Sequence, residues 1–112
     1  MDLSLFFAGT AGSVPTARRG LPAILLRAGG VQIAMIHDAG PSAGRLERMR
    51  RRFPQADAVV FGHSHIPLHE ERDGFAIFNP GSPTERRRAP RHTMGIATVE
   101  DGRLTFELVA LD

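Results

Sequence analysis

Two histidines stand two residues apart in the stretch Phe61-Gly62-His63-Ser64-His65-Ile66-Pro67, directly after an apolar run. On an extended backbone, side chains at i and i+2 share one face, so the spacing predicts that His63 and His65 turn into one cleft at a strand end. Neutral imidazole nitrogens in that arrangement are ligands for a divalent metal. His37 closes a second apolar run, Val31 to Ile36, and is the third candidate ligand, with simple hydrogen bonding at a strand end as its alternative. His69 and His92 read as surface residues. The chain has no cysteine, which excludes a thiolate metal site and a disulfide framework. Gly9-Thr10-Ala11-Gly12 lacks the Lys-[ST] of a phosphate-binding P-loop and reads as a turn.

The elements that must position these residues follow from patterning. Leu3 to Phe7 is a short apolar strand, followed by a Gly-, Pro- and Thr-rich loop from Ala8 to Gly20. Ala23 to Leu26 and Val31 to Ile36 are strands joined around Gly29-Gly30 as a hairpin. Leu46, Met49 and Phe53 recur at helical spacing, which predicts a helix over about 42–53 with Ser42 as N-cap and Pro54 as its stop. Arg45, Arg48, Arg51 and Arg52 fill its remaining faces. Ala58 to Phe61 is a buried strand, Leu68–Arg72 and Phe75–Phe78 pair across Asp73-Gly74, and Met94–Val99 and Leu104–Leu111 pair across Asp101-Gly102. Asn79-Pro80-Gly81-Ser82-Pro83 is a tight turn with a structural role. The result is one α/β, or α+β layered, domain over residues 1–112, mostly strands and hairpins with one clear helix.

All 14 basic residues are arginine, yet the formal net charge is only +2. The runs Arg50-Arg51-Arg52 and Arg86-Arg87-Arg88 have the chemistry to bind phosphate or nucleic acid, but read first as a solvated helix end and a solvated loop. With no Trp, no Tyr and few Phe, no base-stacking platform shows itself. No apolar run is long enough for a membrane span and the first residues lack a signal-peptide pattern, so a cytoplasmic location is expected.

From about Val31 onward, the combination of His37 after a strand, Gly62-His63-Ser64-His65 after a second, and Asn79-Pro80-Gly81-Ser82-Pro83 resembles the C-terminal half of calcineurin-like metallophosphoesterases. The small phosphodiesterases that share their fold with the Vps-type retromer subunit are the most similar group. The resemblance implies half of an αββα sandwich and a metal-dependent phosphodiesterase acting on a phosphate ester. It further implies that His37 and His63 ligate one metal and His65 the other. The metal would be Mn²⁺, with Zn²⁺, Fe or Ni²⁺ as alternatives. Asp38 replaces the more usual glycine and either orients His37 or crowds the pocket.

The family's D-x-H, G-D-x-x-D and G-N-H-[DE] motifs do not occur. Residues 1–30, through Leu5-Phe6-Phe7-Ala8-Gly9-Thr10-Ala11-Gly12-Ser13-Val14-Pro15, instead resemble the opening of ribonuclease Z-like metallo-β-lactamase-fold hydrolases. The expectation is a chimeric chain joined near Gly29-Gly30, incomplete as a two-metal enzyme. The missing ligands would come from a second subunit, with Asp38, Glu70 and Glu71 as the acidic residues nearest the motifs. The alternative is a non-catalytic remnant that holds at most one metal. Half a sandwich leaves apolar surface uncovered, so a homo-oligomer is expected in either case.

Overall fold

The computed structural model describes residues 3–7 and 23–112. The predicted loop over 8–20 and the Gly9-Thr10-Ala11-Gly12 turn lie outside these residues. Three strands run parallel side by side: β3 (Val31–Ile36), β4 (Ala58–Val60) and β6 (Phe75–Asn79). The strands β2 (Ala23–Ala28) and β5 (Leu68–Arg72) flank them antiparallel, giving a five-stranded sheet in the order β2-β3-β4-β6-β5. A second, antiparallel sheet of β1 (Leu3–Phe7), β7 (Thr93–Glu100) and β8 (Arg103–Ala110) runs in the order β1-β7-β8.

Strand alternation divides the core into two layers. Ala34 and Ile36 of β3, Val59 of β4, Phe61, and Phe75 and Ile77 of β6 share one cluster with Leu46 and Met49 of the helix α1 (Arg45–Arg52). Their neighbours Val31, Ile33, Val60 and Phe78 form the other cluster, against Ala97 and Val99 of β7. A strand packed on both faces has no polar side to show, which is why β4 is buried at all three positions. The two sheets close tightly at Gly95, where a Cβ would fall 2.4 Å from Phe78 Cε2. Helix on sheet on sheet is the layering the sequence predicts.

The hairpins fall where the sequence places them. Gly29-Gly30, Asp73-Gly74 and Asp101-Gly102 each carry two consecutive positive φ values, the requirement of a two-residue type I′ turn.

The helix differs. It starts at Arg45, not at 42, and its N-cap is Gly44 in the left-handed conformation with no side-chain cap bond. Ser42 is no cap: its carbonyl accepts a turn bond from Arg45 N–H at 3.3 Å. Two arginines placed on the helix's remaining faces supply the missing anchoring. Arg48 donates to the carbonyls of Ala39, Pro41 and Ala43 at 2.7, 2.6 and 3.1 Å, and Arg45 donates twice to that of Gly40, at 3.2 and 2.9 Å. These bonds fix the loop that leads from His37 into the helix. At the sheet edge, Ile24 and Leu25 of β2 are 60% and 57% exposed. Among the described residues, no helix is long and apolar enough to cross a membrane.

Candidate functional site

Parallel strands carry their loops at their carboxyl ends, and in open α/β sheets that edge is where ligands bind. Here β3, β4 and β6 end side by side, and at or just past their ends stand His37, Gly62-His63 and Asn79-Pro80. One main-chain bond past the β3–β4 ladder, Gly62 N–H to the carbonyl of His37 at 2.9 Å, ties the first two ends together. His37 Nε2 and His63 Nδ1 come within 3.3 Å, with the rings edge-on at an interplanar angle of 82°.

His63 and His65 do not share the face of an extended segment. Both residues adopt left-handed backbone conformations, with φ of 75° and 63°, so the extended-strand argument for the pair fails. The loop turns sharply between them, and His65 points instead to the neighbouring loop, where its Nδ1–H donates to the carbonyl of Glu85. That bond selects the tautomer in which Nε2 keeps its lone pair. So His37 and His63 converge, and His65 stands apart with its own free ring nitrogen.

Asn79 holds the turn from beneath. It is fully buried, donating to the Gly62 carbonyl at 3.4 Å and the Ser64 hydroxyl at 3.3 Å, while its Oδ1 accepts from Gly81 N–H at 2.9 Å. The structural role predicted for the Asn79–Pro83 turn is thus a specific one. Asp38 is engaged in its own loop, where Oδ1 accepts from Gly40 N–H at 2.8 Å. Glu70 and Glu71 lie exposed on β5. His69 is exposed but sets its ring edge on Phe78 and Phe106, and His92 pairs with Asp112 at 2.7 Å. The Asp112 carboxyl is held below the usual carboxylate value by the hydrogen bonds it accepts from His92, side chain first and then backbone.

One participant belongs to a run that reads from the sequence as solvated surface, with phosphate binding as the alternative. Arg87 donates its Nη1–H to the His63 carbonyl at 2.7 Å, which brings one arginine of the 86–88 run onto the histidine loop. The signal available was the position of that run, a few residues beyond Asn79-Pro80-Gly81-Ser82-Pro83. A cleft of 420 Å³ elsewhere, lined in part by Asp57, His69, Glu71 and Phe106, opens at the other end of the parallel strands. Among the described residues no three His, Cys, Asp or Glu side chains converge as a metal cage.

Residues 11–102 match the model of the calcineurin-like phosphoesterase superfamily domain, and the chain belongs to that family. The match runs across Gly29-Gly30, where the sequence suggests a junction. The comparisons do not show the ribonuclease Z-like resemblance of residues 1–30. No curated protein matches the sequence.

Among solved structures, the chain is similar to a Streptococcus pneumoniae protein described as a predicted phosphoesterase. The TM-score is 0.64 at 17% identity, over 79% of this chain and 53% of that one. It is also similar to an archaeal phosphodiesterase (TM-score 0.58, 20% identity, 80% of this chain and 50% of the other). A third match is Vps29 of Entamoeba histolytica in complex with Zn²⁺, at TM-score 0.55 and 21% identity, over 80% and 61% of the two chains. These likenesses are of fold, and the chain spans 50–61% of the length of these three structures. The family depends on divalent metals and acts on phosphate esters.

Proposed function

We propose that the domain is the metal-binding half of a phosphodiesterase site, with His37 and His63 sharing one divalent cation and His65 Nε2 facing a second position. The carrying observation is the 3.3 Å approach of His37 Nε2 and His63 Nδ1 at adjoining strand ends. Two imidazole nitrogens each roughly 2.0–2.1 Å from one tetrahedral ion stand about 3.3–3.4 Å apart, so the pair fits a common cation. When bound, a divalent cation polarises a phosphoryl oxygen and lowers the pKa of water, supplying a nucleophile at neutral pH.

The chain's own residues hold the geometry. The Gly62–His37 main-chain bond sets the ring separation, Asn79 fixes the turn between His63 and His65, and the Glu85 carbonyl keeps His65 in one tautomer. Two nitrogens leave most of a coordination sphere open, and on this reading a second copy of the chain supplies the remaining ligands. Mn²⁺ is the metal we expect to support turnover.

The test is hydrolysis of bis-p-nitrophenyl phosphate with and without Mn²⁺, for wild type, His63→Ala and His37→Ala. Metal-dependent turnover lost in both variants supports the reading. A second reading, a non-catalytic domain that holds one metal, is favoured by the lack of a three-ligand cluster among the described residues. Metal binding without turnover would establish it.

A further inference from the structure

Among the described residues, five other than glycine have positive φ: His63, His65, Asp73, Arg87 and Asp101. Asp73 and Asp101 precede glycine in type I′ hairpin turns, where that conformation is customary. The other three have no such excuse and gather at one place. Left-handed backbone at bulky residues is costly and persists where the surroundings over-determine it, most often at ligand sites.

The loop carrying Arg87 is built against the histidine loop at two points. Ser82 Oγ accepts from the backbone N–H groups of Thr84 and Glu85, at 3.3 and 3.1 Å, and so sets the carbonyl that receives His65 Nδ1–H. Two residues on, Arg87 turns back through its left-handed φ of 50° to reach the His63 carbonyl. Its neighbour Arg86 does something different, folding onto its own loop to donate to the Ala89 carbonyl at 2.8 Å. Among the described residues Arg88 bonds neither histidine.

A guanidinium carries five N–H donors in a planar fork. One of the five on Arg87 is used on the His63 carbonyl, which holds the guanidinium at the histidine loop. A phosphoryl group offers oxygens matched to that fork. We propose that Arg87 is the anion-binding residue of this site, receiving the non-bridging phosphoryl oxygens of the ester; the proposal rests on the phosphoesterase reading above.

The test is titration of inorganic phosphate into Zn²⁺-loaded wild type, Arg87→Ala, Arg87→Lys and Arg88→Ala, with Zn²⁺ affinity measured on the same proteins. Arg87→Ala should weaken phosphate binding about 10- to 100-fold while Zn²⁺ affinity stays within twofold. Arg87→Lys, which keeps the charge and loses the fork, should fall between. Arg88→Ala should match wild type.

If Arg87 only braces the loop, Arg87→Ala loses Zn²⁺ affinity and its loaded form binds phosphate normally, which overturns the proposal. Failure of wild type to bind phosphate overturns it as well. If the protein takes no Zn²⁺, the metal reading fails, and the same phosphate titrations on metal-free protein still decide the role of Arg87. Arg87-dependent phosphate binding without ester hydrolysis would sink the enzymatic reading and leave this one standing.

Discussion

The left-handed backbone at His63 and His65 has a consequence that inverts an ordinary rule of protein stability. Replacing a residue by alanine is usually safer than replacing it by glycine, because glycine loses more chain entropy on folding, about 0.5–1 kcal/mol. At a left-handed position, alanine carries a steric cost of about 1–2 kcal/mol that glycine does not. Both substitutions remove the imidazole and its bonds, so those losses cancel in the comparison.

The difference leaves glycine ahead by about 0.5–1 kcal/mol at each position, or about 1–2 kcal/mol for the pair. For a chain of this length that corresponds to roughly 4–8 °C in Tm. The measurement is thermal unfolding in EDTA, so that metal binding does not add to the stability of the folded state. The comparison sets His63→Gly/His65→Gly beside His63→Ala/His65→Ala. The control is Arg88, which lies outside the left-handed region. There, alanine should exceed glycine by about 0.5–1 kcal/mol. An alanine pair as stable as the glycine pair would refute the left-handed geometry of the loop, and with it the argument that strain is concentrated at this site.

Asn79→Ala should destabilise by about 2–3 kcal/mol, seen as a lower urea midpoint at unchanged slope, because it leaves the buried Gly81 N–H without its acceptor and removes both donors to the histidine turn. Gly95→Ala should cost about 1–3 kcal/mol in the same assay, since the new methyl meets the ring of Phe78 and the Cβ of Pro80, both buried between the sheets. Asp112 gives a pH signature. Its folded-state pKa is lowered by His92 from 3.8, so its contribution is complete above that value and is lost as pH falls through the lower, folded one. The stability gap between wild type and Asp112→Asn should therefore narrow below pH 3.8, and a gap constant through that range would count against the pairing.

The sequence made the hairpins legible because a type I′ turn demands particular residues, and Gly-Gly and Asp-Gly met the demand three times. The buried β4 was legible because a short apolar, β-branched run has few readings. The pairing of His37 with His63 was implied only by the family resemblance, since spacing alone paired His63 with His65. The helix start was not legible. Apolar spacing fixes which face is buried but says little about where the first turn begins, and a glycine cap with Arg45 and Arg48 bonding back to loop carbonyls replaced the serine cap.

The course of the Gly62–Ile66 loop was also hidden. Nothing in Gly-His-Ser-His marks two left-handed histidines, and the i, i+2 argument assumed the extended backbone that the loop lacks. Arg87 escaped because a run of three arginines looks uniform in sequence. Only the fold separates one that braces its own loop from one that reaches a histidine carbonyl.

The bond from Gly62 N–H to the His37 carbonyl makes the spacing of positions 37 and 63 a property of the sheet and not of the imidazoles. Those two positions are sockets set by the backbone, although the left-handed φ of 75° at position 63 still favours some occupants over others. Cysteines there would present a soft thiolate pair and carboxylates a hard one, over the same strand ends. On the proposed metal-binding reading, exchanging those two side chains would change the cation preferred while the main-chain bond between the strand ends stays.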